Sequence, residues 1–333
     1  MGSVLECLPH GSRVAVLRLR SLGDCVLTTP ALDILRRARP DLRLAVVVEE
    51  RFRALFEENP DLDDILPPSI GALRVWRPRL CVNLHGGSRS AWMTALSGAE
   101  HRAGFGHFRH RWVYNAHIPR AQEILGVERT AHTAEHLASA MFWLGAPKGE
   151  IPRAKLVAHG GAAQAAPPAP PRTGRVAPET VCAAVGRAVP PAHTVGSTAV
   201  IHPVAADGGK TWRAEGFLAV AERLRELGME PVFIGAASDD LTPFGAFRTI
   251  AGAPLAGIKT LLAGASFFVG NDSGPAHMAA AFGLPVVVIF GNSNPAIWGP
   301  WRTASEVVTA PGGIGHVETS QVLDALERLR VHA

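Results

Sequence analysis

Cysteine is scarce in this sequence, and its spacing does not match that of a metal or redox motif. The four residues (Cys7, Cys25, Cys81 and Cys182) form no Cys-x-x-Cys pair. In a chain of 333 residues, this pattern favours a reducing compartment over a disulfide-stapled fold.

Long apolar runs are also missing. No stretch approaches the roughly 20 residues that span a bilayer. The first residues, MGSVLECLPHGSR, lack the basic and apolar regions of a secretion signal. We therefore expect a cytoplasmic protein, either free or peripheral at the inner face of the cytoplasmic membrane.

The charge balance is mildly basic, with a formal net charge of +4 and a pI near 9.2. No long basic tail accompanies this excess, so we expect no nucleic-acid partner. A phosphorylated substrate or an anionic membrane face fits it better. Hydrophobic residues make up 47% of the chain, which excludes global disorder.

Short β-branched runs alternate with helical patterns in both halves of the chain. This alternation predicts βαβ units and mostly parallel sheets. Strands are predicted over 13–19, 42–48, 80–84, 198–203, 230–235 and 285–291. Helices are predicted over 28–40, with Pro30 in the first turn, and over 50–60, 88–98, 134–145, 214–228 and 320–330.

An Ala-, Pro- and Gly-rich segment without a durable period separates the two halves and predicts a linker over 156–197. The fold class is therefore α/β, with two Rossmann-like doubly wound domains that face a cleft. We assign 1–155 to the first domain and 198–333 to the second. Ligands of such sheets bind beyond the carboxyl ends of the strands.

The most specific local pattern is GNDSGPAH, which ends one apolar run and opens an Ala-rich helix. Gly274 and Pro275 at the helix start expose backbone NH groups at its positive end. Asp272 or Ser273 could simply cap that helix. A cap does not require Gly274, Pro275 or His277, so anion binding is the favoured interpretation.

Two further residues follow predicted strands and have competing interpretations. Asp24 stands between the first strand and the first helix, either as an N-cap or as a general base. Lys210 stands in HPVAADGGKTW, either solvated or in contact with a phosphate. The spacing around Lys210 is not that of a Walker A loop.

The segment GAEHRAGFGHFRHRWVYN mixes His and aromatic residues with Arg102, Arg109 and Arg111. These arginines form either a solvated charged edge or an acceptor platform for phosphates and acidic sugars near a membrane surface.

Three other patterns could suggest different chemistry. The Asp-x-Asp in DLDD (61–64) could hold a divalent metal, but a turn into a strand is favoured. HTAEH (132–136) matches an inverted zinc-protease signature and lacks a third ligand. Cys25 has no evident His partner that would make it a thiolate nucleophile. We expect no metal site.

Together these segments resemble the glycosyltransferase family 9 heptosyltransferases, the ADP-heptose:lipopolysaccharide transferases. The resemblance covers most of the chain and is carried by VLRLRSLGDCVLTTPALDILRRARPD, NLHGGSRSA, HPVAADGGKTW, GNDSGPAHMAAAFGLPVVVIFG and WGP. It implies a GT-B fold, with the acceptor on the N-terminal domain and an ADP-sugar on the C-terminal domain. It also implies inverting transfer without a metal or other cofactor.

The resemblance also implies roles for single residues. Asp24 matches the family's base, and Lys210 matches its diphosphate-binding lysine. The donor-binding pattern is matched by Asp272, Ser273, Gly274 and His277, and the nucleoside contact by Asp239. The sequence departs from the family pattern at Asn83, Val204, Asn292 and Asn294.

We therefore predict a glycosyltransferase that moves heptose or a related sugar from an ADP-sugar to a lipopolysaccharide-core or related glycan acceptor. The acceptor would be lipid-linked or an oligosaccharide. Two alternatives stay open: a non-catalytic nucleotide-sugar or phosphate-binding protein, and a metal-dependent transferase of the GT-A type.

Overall fold

The computed structural model describes residues 3–158, 197–205 and 208–332. The first half builds a parallel six-stranded sheet in the order β3-β2-β1-β4-β5-β6. Its strands are β1 (Arg13–Leu17), β2 (Arg43–Val47), β3 (Asp64–Leu66), β4 (Leu80–Asn83), β5 (His101–Phe105) and β6 (Ala116–Ile118). Its helices are α1 (Leu22–Ala38), α2 (Ile70–Trp76), α3 (Ser88–Ala95), α4 (Ala121–Leu125) and α5 (Thr133–Leu144).

The second half repeats this topology, in the order β12-β11-β10-β7-β8-β9. Its strands are β7 (Ser197–His202), β8 (Met229–Gly235), β9 (Arg248–Ala251), β10 (Phe267–Asn271), β11 (Val286–Ile289) and β12 (Ser305–Val308). Its helices are α6 (Ala214–Glu226), α7 (Leu255–Ala263), α8 (Gly274–Phe282), α9 (Pro295–Trp298) and α10 (Thr319–His332). Single 3-10 turns occur at Glu50–Leu55, Arg111–Val113, Gly208–Lys210, Thr242–Phe244 and Ile314–His316.

The predicted pair of parallel α/β sheets is confirmed. The domain boundaries remain predictions, because the proposed linker at 156–197 lies outside the described residues except at its two ends. No helix within the described residues is both long and apolar enough to cross a membrane.

The central strands are apolar on both faces, as parallel sheets covered by helices require. In β1, Val14 and Val16 pack into the main core, whereas Ala15 and Leu17 pack into a separate cluster on the opposite face. All four side chains are fully buried. The continuous apolar run in the sequence therefore reflects two buried faces rather than one.

Helix α1 begins at Leu22, earlier than predicted, and Pro30 lies in its interior instead of its first turn. Proline has no N–H for the carbonyl four residues back. The hydroxyl of Thr29 donates to that carbonyl, on Val26, at 2.8 Å. The helix therefore continues through Pro30 because a side chain supplies the missing donor.

The predicted helix over 50–60 was wrong in length and type, since only the 3-10 turn Glu50–Leu55 forms. Glu58 takes a left-handed φ of 63°, which a helix does not allow. Pro60 then disfavours helical backbone at the residue before it.

The two halves meet along a surface that we call the seam. There α1 packs against α8, and α7 packs against the 3-10 turn Glu50–Leu55. The largest apolar cluster contains residues from both halves. The seam is therefore a continuous piece of core, which fixes the two sheets relative to each other.

Candidate active site

The predicted site residues follow strands at the switch point of each sheet. In the order 3-2-1-4-5-6 the strand order reverses between the first and fourth strands. Ligands of such sheets bind beyond the carboxyl ends of the strands at that point. Asp24 follows β1, Lys210 follows β7, and Gly274 follows β10. The common topology therefore presents the two switch points to the same seam.

The first turns of α1 and α8 touch at the seam. A Cβ placed on Gly23 would lie 2.5 Å from Cδ2 of His277. A Cβ placed on Gly274 would overlap the side chain of Leu22. Two helix N-termini therefore converge on one place, where their exposed NH groups and dipoles favour an anion.

Asp24 is the third residue of α1, and its carboxylate has partners on two sides. Oδ1 forms an ion pair with the buried guanidinium of Arg18. Oδ2 accepts a 3.0 Å hydrogen bond from Oγ of Ser21. Arg18 is held in turn by a 2.5 Å bond from Nη1 to the carbonyl of Leu84. These contacts fix the orientation of the carboxylate at the N-terminus of α1.

The N-cap of α1 is Ser21 and Asp24 lies three residues later, so the prediction of Asp24 as the N-cap was wrong. The role of Asp24 as a general base stays a prediction. Its carboxylate lies in the first turn of α1, and 18% of its side chain remains exposed at the seam. An ionised, hydrogen-bonded carboxylate can still accept a proton from a hydroxyl whose acidity rises as its new bond forms.

On the opposite side, Lys210 and Asp272 form an ion pair. Nζ lies 3.0 Å from Oδ2 of the carboxylate, and a third of the lysine side chain remains exposed. Asn271, at the end of β10, holds the loop that follows β7. Its Nδ2 donates to the carbonyl of Pro203 at 2.8 Å. Its Oδ1 accepts from N–H of Trp212 at 3.1 Å.

Ser273 is the N-cap of α8, yet its hydroxyl makes no capping bond. It is hydrogen bonded instead to Nδ1 of His202 at 2.9 Å. Burial lowers the pKa of His202 to about 4, so this imidazole is neutral at pH 7. The capping interpretation was therefore wrong for the side chain of Ser273, and His202 holds this hydroxyl in place.

His277 lies at the centre of the site, buried beneath the first turn of α8. Burial lowers its pKa to about 4, with His132 and Lys210 adding to this effect and Asp272 and Asp24 opposing it. Its Nδ1 is buried and has no hydrogen-bond partner among the described residues. The ring is thus a neutral imidazole close to both charged pairs of the site.

Asn83, one of the departures from the family pattern, supports the loop after β4. Its Oδ1 accepts from the N–H groups of His85 and Gly86, at 2.9 and 3.0 Å. Its Nδ2 donates to the hydroxyl of Tyr114 at 3.0 Å. The amide satisfies donors and acceptors at once, which suits this buried position.

The side chains of Asp239 and Arg102 form hydrogen bonds with nearby backbone groups. A 2.7 Å bond from Ala236 N–H to the carboxylate of Asp239 closes the turn after β8. The guanidinium of Arg102 donates to the carbonyls of Val113 and Ala99, at 3.0 and 3.1 Å. Arg102 therefore supports the fold, while its predicted role towards an acceptor remains untested.

Comparison with known proteins identifies the family. The family model described as glycosyltransferase family 9 (heptosyltransferase) matches residues 77–322, which is more than half of the chain. The chain belongs to glycosyltransferase family 9. Asp24 lies before the matched range.

Family 9 relatives differ in how much of the chain they cover. A lipopolysaccharide heptosyltransferase 3 of Escherichia coli is 35% identical over 113 residues, which is 31% of this chain and 33% of that protein. The chain thus aligns with only a third of that relative. Lipopolysaccharide heptosyltransferase 1 of Pseudomonas aeruginosa is 27% identical over 319 residues, 87% of this chain and 81% of the relative.

Solved structures of family 9 members share the fold. A glycosyl transferase family 9 protein from Veillonella parvula superposes with a TM-score of 0.76 at 21% identity, covering 97% of this chain and 98% of its own. An E. coli heptosyltransferase solved with ADP gives 0.72 at 18% identity, covering 95% and 99%. The predicted GT-B architecture is confirmed.

The acidic and His-rich motifs that suggested other chemistry have structural partners in this family 9 chain. Asp61 pairs with Lys155 at 2.9 Å, and Asp63 pairs with Arg36 at 2.6 Å. Asp64 accepts from the indole of Trp76 at 3.0 Å. DLDD therefore forms the predicted turn into β3, and no cluster suited to a metal occurs among the described residues.

The residues of HTAEH point to three different places. His132 is the N-cap of α5, and its Nε2 is hydrogen bonded to the carbonyl of Gly299 at 2.9 Å. Glu135 pairs with Arg129 at 2.5 Å. His136 stacks on Phe105 with 4.0 Å between ring centroids. Burial also raises the pKa of the Cys25 thiol to about 12, so a thiolate nucleophile is excluded at neutral pH.

Three residues of the candidate site were not singled out from the sequence. Arg18 lies in RLRSLGD, His202 ends β7 and begins HPVAADGGKTW, and Asn271 lies inside GNDSGPAH. Each stands at or just beyond the carboxyl end of a strand at a switch point. A polar residue ending an otherwise apolar run was the available signal.

Proposed function

We propose that this chain is an inverting glycosyltransferase that needs no metal. It moves heptose or a related sugar from an ADP-sugar to a lipopolysaccharide-core or related glycan acceptor at the cytoplasmic face of the membrane. The observation that carries the proposal is the contact between the first turns of α1 and α8. It puts a carboxylate and an anion-binding helix terminus at one seam.

The donor would bind with its diphosphate at the converging helix N-termini. Backbone NH groups around Ser273 and Gly274 would face it, as helix termini do with phosphates. Lys210, a third exposed and already paired with Asp272, would turn towards the stronger charge of the diphosphate. Donors placed where charge develops on the leaving group can take the role that a metal has in other transferases.

The acceptor hydroxyl would be deprotonated by Asp24. The pair with Arg18 fixes the orientation of this carboxylate. Proton transfer would occur late, once attack on the anomeric carbon acidifies the hydroxyl. The neutral ring of His277 adds no positive charge beside the proposed base.

ADP as the leaving group is supported by relatives. The E. coli heptosyltransferase of the same fold was solved with ADP, and another structure of it contains an ADP-heptose analogue. We propose the same nucleotide for this chain. Asp239, at the carboxyl end of β8, would contact the nucleoside.

A thermal-shift panel of ADP-, UDP- and GDP-sugars tests the donor. A ligand at 100 times its Kd stabilises the folded state by about 2.7 kcal/mol. We expect this gain from the ADP-sugar and little from the others. A preference for a UDP-sugar would refute the heptose donor while leaving the fold unaffected.

Transfer to a lipopolysaccharide-core acceptor, measured with and without EDTA, tests the proposed acceptor and the proposed independence from metal. We expect full activity in EDTA. Donor binding without transfer to any such acceptor would favour the non-catalytic alternative. The GT-A alternative would need a different fold from the one described.

A further inference from the structure

One outer surface of the N-terminal half displays large apolar side chains that a soluble domain usually buries. Trp92 in α3 and Leu96, the C-cap of that helix, are 51% and 40% exposed. Trp112, from the 3-10 turn Arg111–Val113, is 64% exposed and meets Trp92 edge to face at 5.5 Å. We call these three side chains the tryptophan ridge.

The tryptophan ridge accounts for three of the five large hydrophobic side chains exposed among the described residues. The outward face of α3 is unusually apolar, because the exposed residues at helical spacing are Arg89, Trp92 and Leu96. Outer helix faces are normally polar. Contiguous exposed apolar groups bordered by charge mark an interaction site.

Arginines surround the ridge. Arg74 donates to the carbonyl of Leu96 at 2.9 Å, and Arg89 lies one turn before Trp92. Arg109 and Arg111 are exposed, and neither has an ion pair with an acidic side chain among the described residues. Trp and Arg together suit an interface where apolar groups and anions meet.

The charge of the whole chain is concentrated here. Residues 85–120 contain five Arg and one Glu, a net charge of +4 (5 − 1), which equals the net charge of the full sequence. The other 297 residues (333 − 36) therefore sum to zero. The segment that carries the tryptophan ridge therefore contributes a net charge equal to that of the full sequence.

The same segment is connected to the candidate active site. Phe108 packs on Gly86, where an added Cβ would lie 2.6 Å from its ring. Ser88 Oγ and His110 Nε2 are hydrogen bonded at 2.8 Å. The neighbouring His85 has its pKa lowered by burial and then by Arg18 and Arg20, with Asp24 opposing. The ridge therefore lies on the acceptor side of the seam.

We infer that the tryptophan ridge and its arginines dock this protein on an anionic lipid bilayer. The indoles enter the headgroup region, and Arg109 and Arg111 contact lipid phosphates. Charge complementarity favours a membrane over an apolar protein partner. Docking itself does not depend on the proposed function. Its biological role does rest on that function, because docking would present a lipid-linked acceptor to Asp24.

Co-sedimentation of the full-length protein with vesicles tests this. Vesicles of phosphatidylcholine alone are compared with vesicles containing about one third phosphatidylglycerol, at about 0.1 M and about 1 M salt, where the Debye length falls from about 10 to about 3 Å. We expect binding to the anionic vesicles at low salt only. Equal binding to both vesicle types, or to neither, would overturn the inference.

Two double variants locate the surface. Arg109→Gln with Arg111→Gln should weaken vesicle binding roughly 30-fold, at about 1 kcal/mol per cation. The control is Arg225→Gln with Arg248→Gln, which removes the same charge from exposed positions in the C-terminal half. The control should bind like the wild type. Equal losses in both pairs would show a net-charge effect and refute the ridge.

Trp92→Ser with Trp112→Ser should reduce binding at least about tenfold and abolish any blue shift of tryptophan emission on vesicles. ADP should stabilise this variant as much as the wild type, because neither indole lies in the donor site. If ADP stabilised neither protein, the proposed function would fail while the vesicle result stood. Unchanged vesicle binding by this variant would overturn docking.

Discussion

Gly23 and His277, from opposite halves of the chain, are in direct contact at the seam. A side chain on the glycine would begin 2.5 Å from Cδ2 of the buried imidazole. The first turn of α1, which carries Asp24, meets the first turn of α8 here. Glycine at this position therefore sets the distance between the proposed base and the proposed anion site.

Gly23→Ala should test that distance. Alanine normally stabilises a helix interior by about 0.5–1 kcal/mol relative to glycine. Here we expect a loss of about 1–3 kcal/mol from overpacking, together with weaker ADP binding. Gly257→Ala in α7, where an added Cβ meets nothing within 4 Å, is the matched control. Chemical denaturation that ranks the two variants equally would contradict the contact.

Lys210→Ala should reduce transfer by about 100- to 1,000-fold, the usual cost of removing one preorganised donor. Lys155→Ala is a close control, because Lys155 pairs with Asp61 at 2.9 Å and its side chain is 35% exposed. The Lys210 pair has nearly the same length and exposure. Steady-state rates that fall alike in both variants would show that ion-pair loss, not donor binding, is responsible.

Acid should destabilise the protein in a defined window. Burial lowers the pKa of His277 from 6.5 to about 4, and that of His202 similarly. Between these values the unfolded state binds more protons than the folded state, so stability falls as pH decreases from about 6.5 to about 4. Each group contributes up to about 1.4 kcal/mol per pH unit.

Urea denaturation at several pH values between about 6.5 and about 4 tests whether stability falls on acidification. His277→Gln should show a shallower decline than the wild type, because it removes one of the buried imidazoles whose pKa is lowered to about 4. Stability that stays level or rises on acidification would contradict the burial of these imidazoles.

Lys259 forms a buried link across the seam. It is 1% exposed, and its Nζ donates to the carbonyls of Ala54 and Glu57, at 2.6 and 3.5 Å. Lys259→Met keeps the aliphatic length and leaves these acceptors unsatisfied, so we expect a loss of about 1–3 kcal/mol. Lys148→Met, which removes a bond from an exposed lysine to the carbonyl of Ile124, should change stability by less than about 0.5 kcal/mol. Similar midpoints of urea unfolding for Lys259→Met and Lys148→Met would refute a stabilising role of Lys259 across the seam.

Much of the fold was predictable because parallel sheets have strong local signatures. The apolar run of β1 and the amphipathic pattern of α6 are each properties of neighbouring residues. The sequence did not predict that α1 continues through Pro30, because the hydroxyl of Thr29 that supplies the missing donor is not visible as a pattern.

The site was predictable in part for the same reason. Asp24 and Gly274 were found because each opens a helix after a strand. The contact of Gly23 with His277 and the burial of Lys259 depend on how two distant segments pack, and no local pattern encodes them. Arg18 and His202 were missed because their partners, Asp24 and Ser273, are specified only by side-chain geometry.

Asp24 is the proposed base, and single-turnover transfer by Asp24→Asn tests this role directly. The variant is nearly isosteric, so ADP binding should persist while the rate falls about 100- to 10,000-fold. Ser21→Ala, which removes only the 3.0 Å contact to Oδ2, should cost less than about tenfold. Near wild-type turnover in Asp24→Asn, with donor binding intact, would contradict the mechanism.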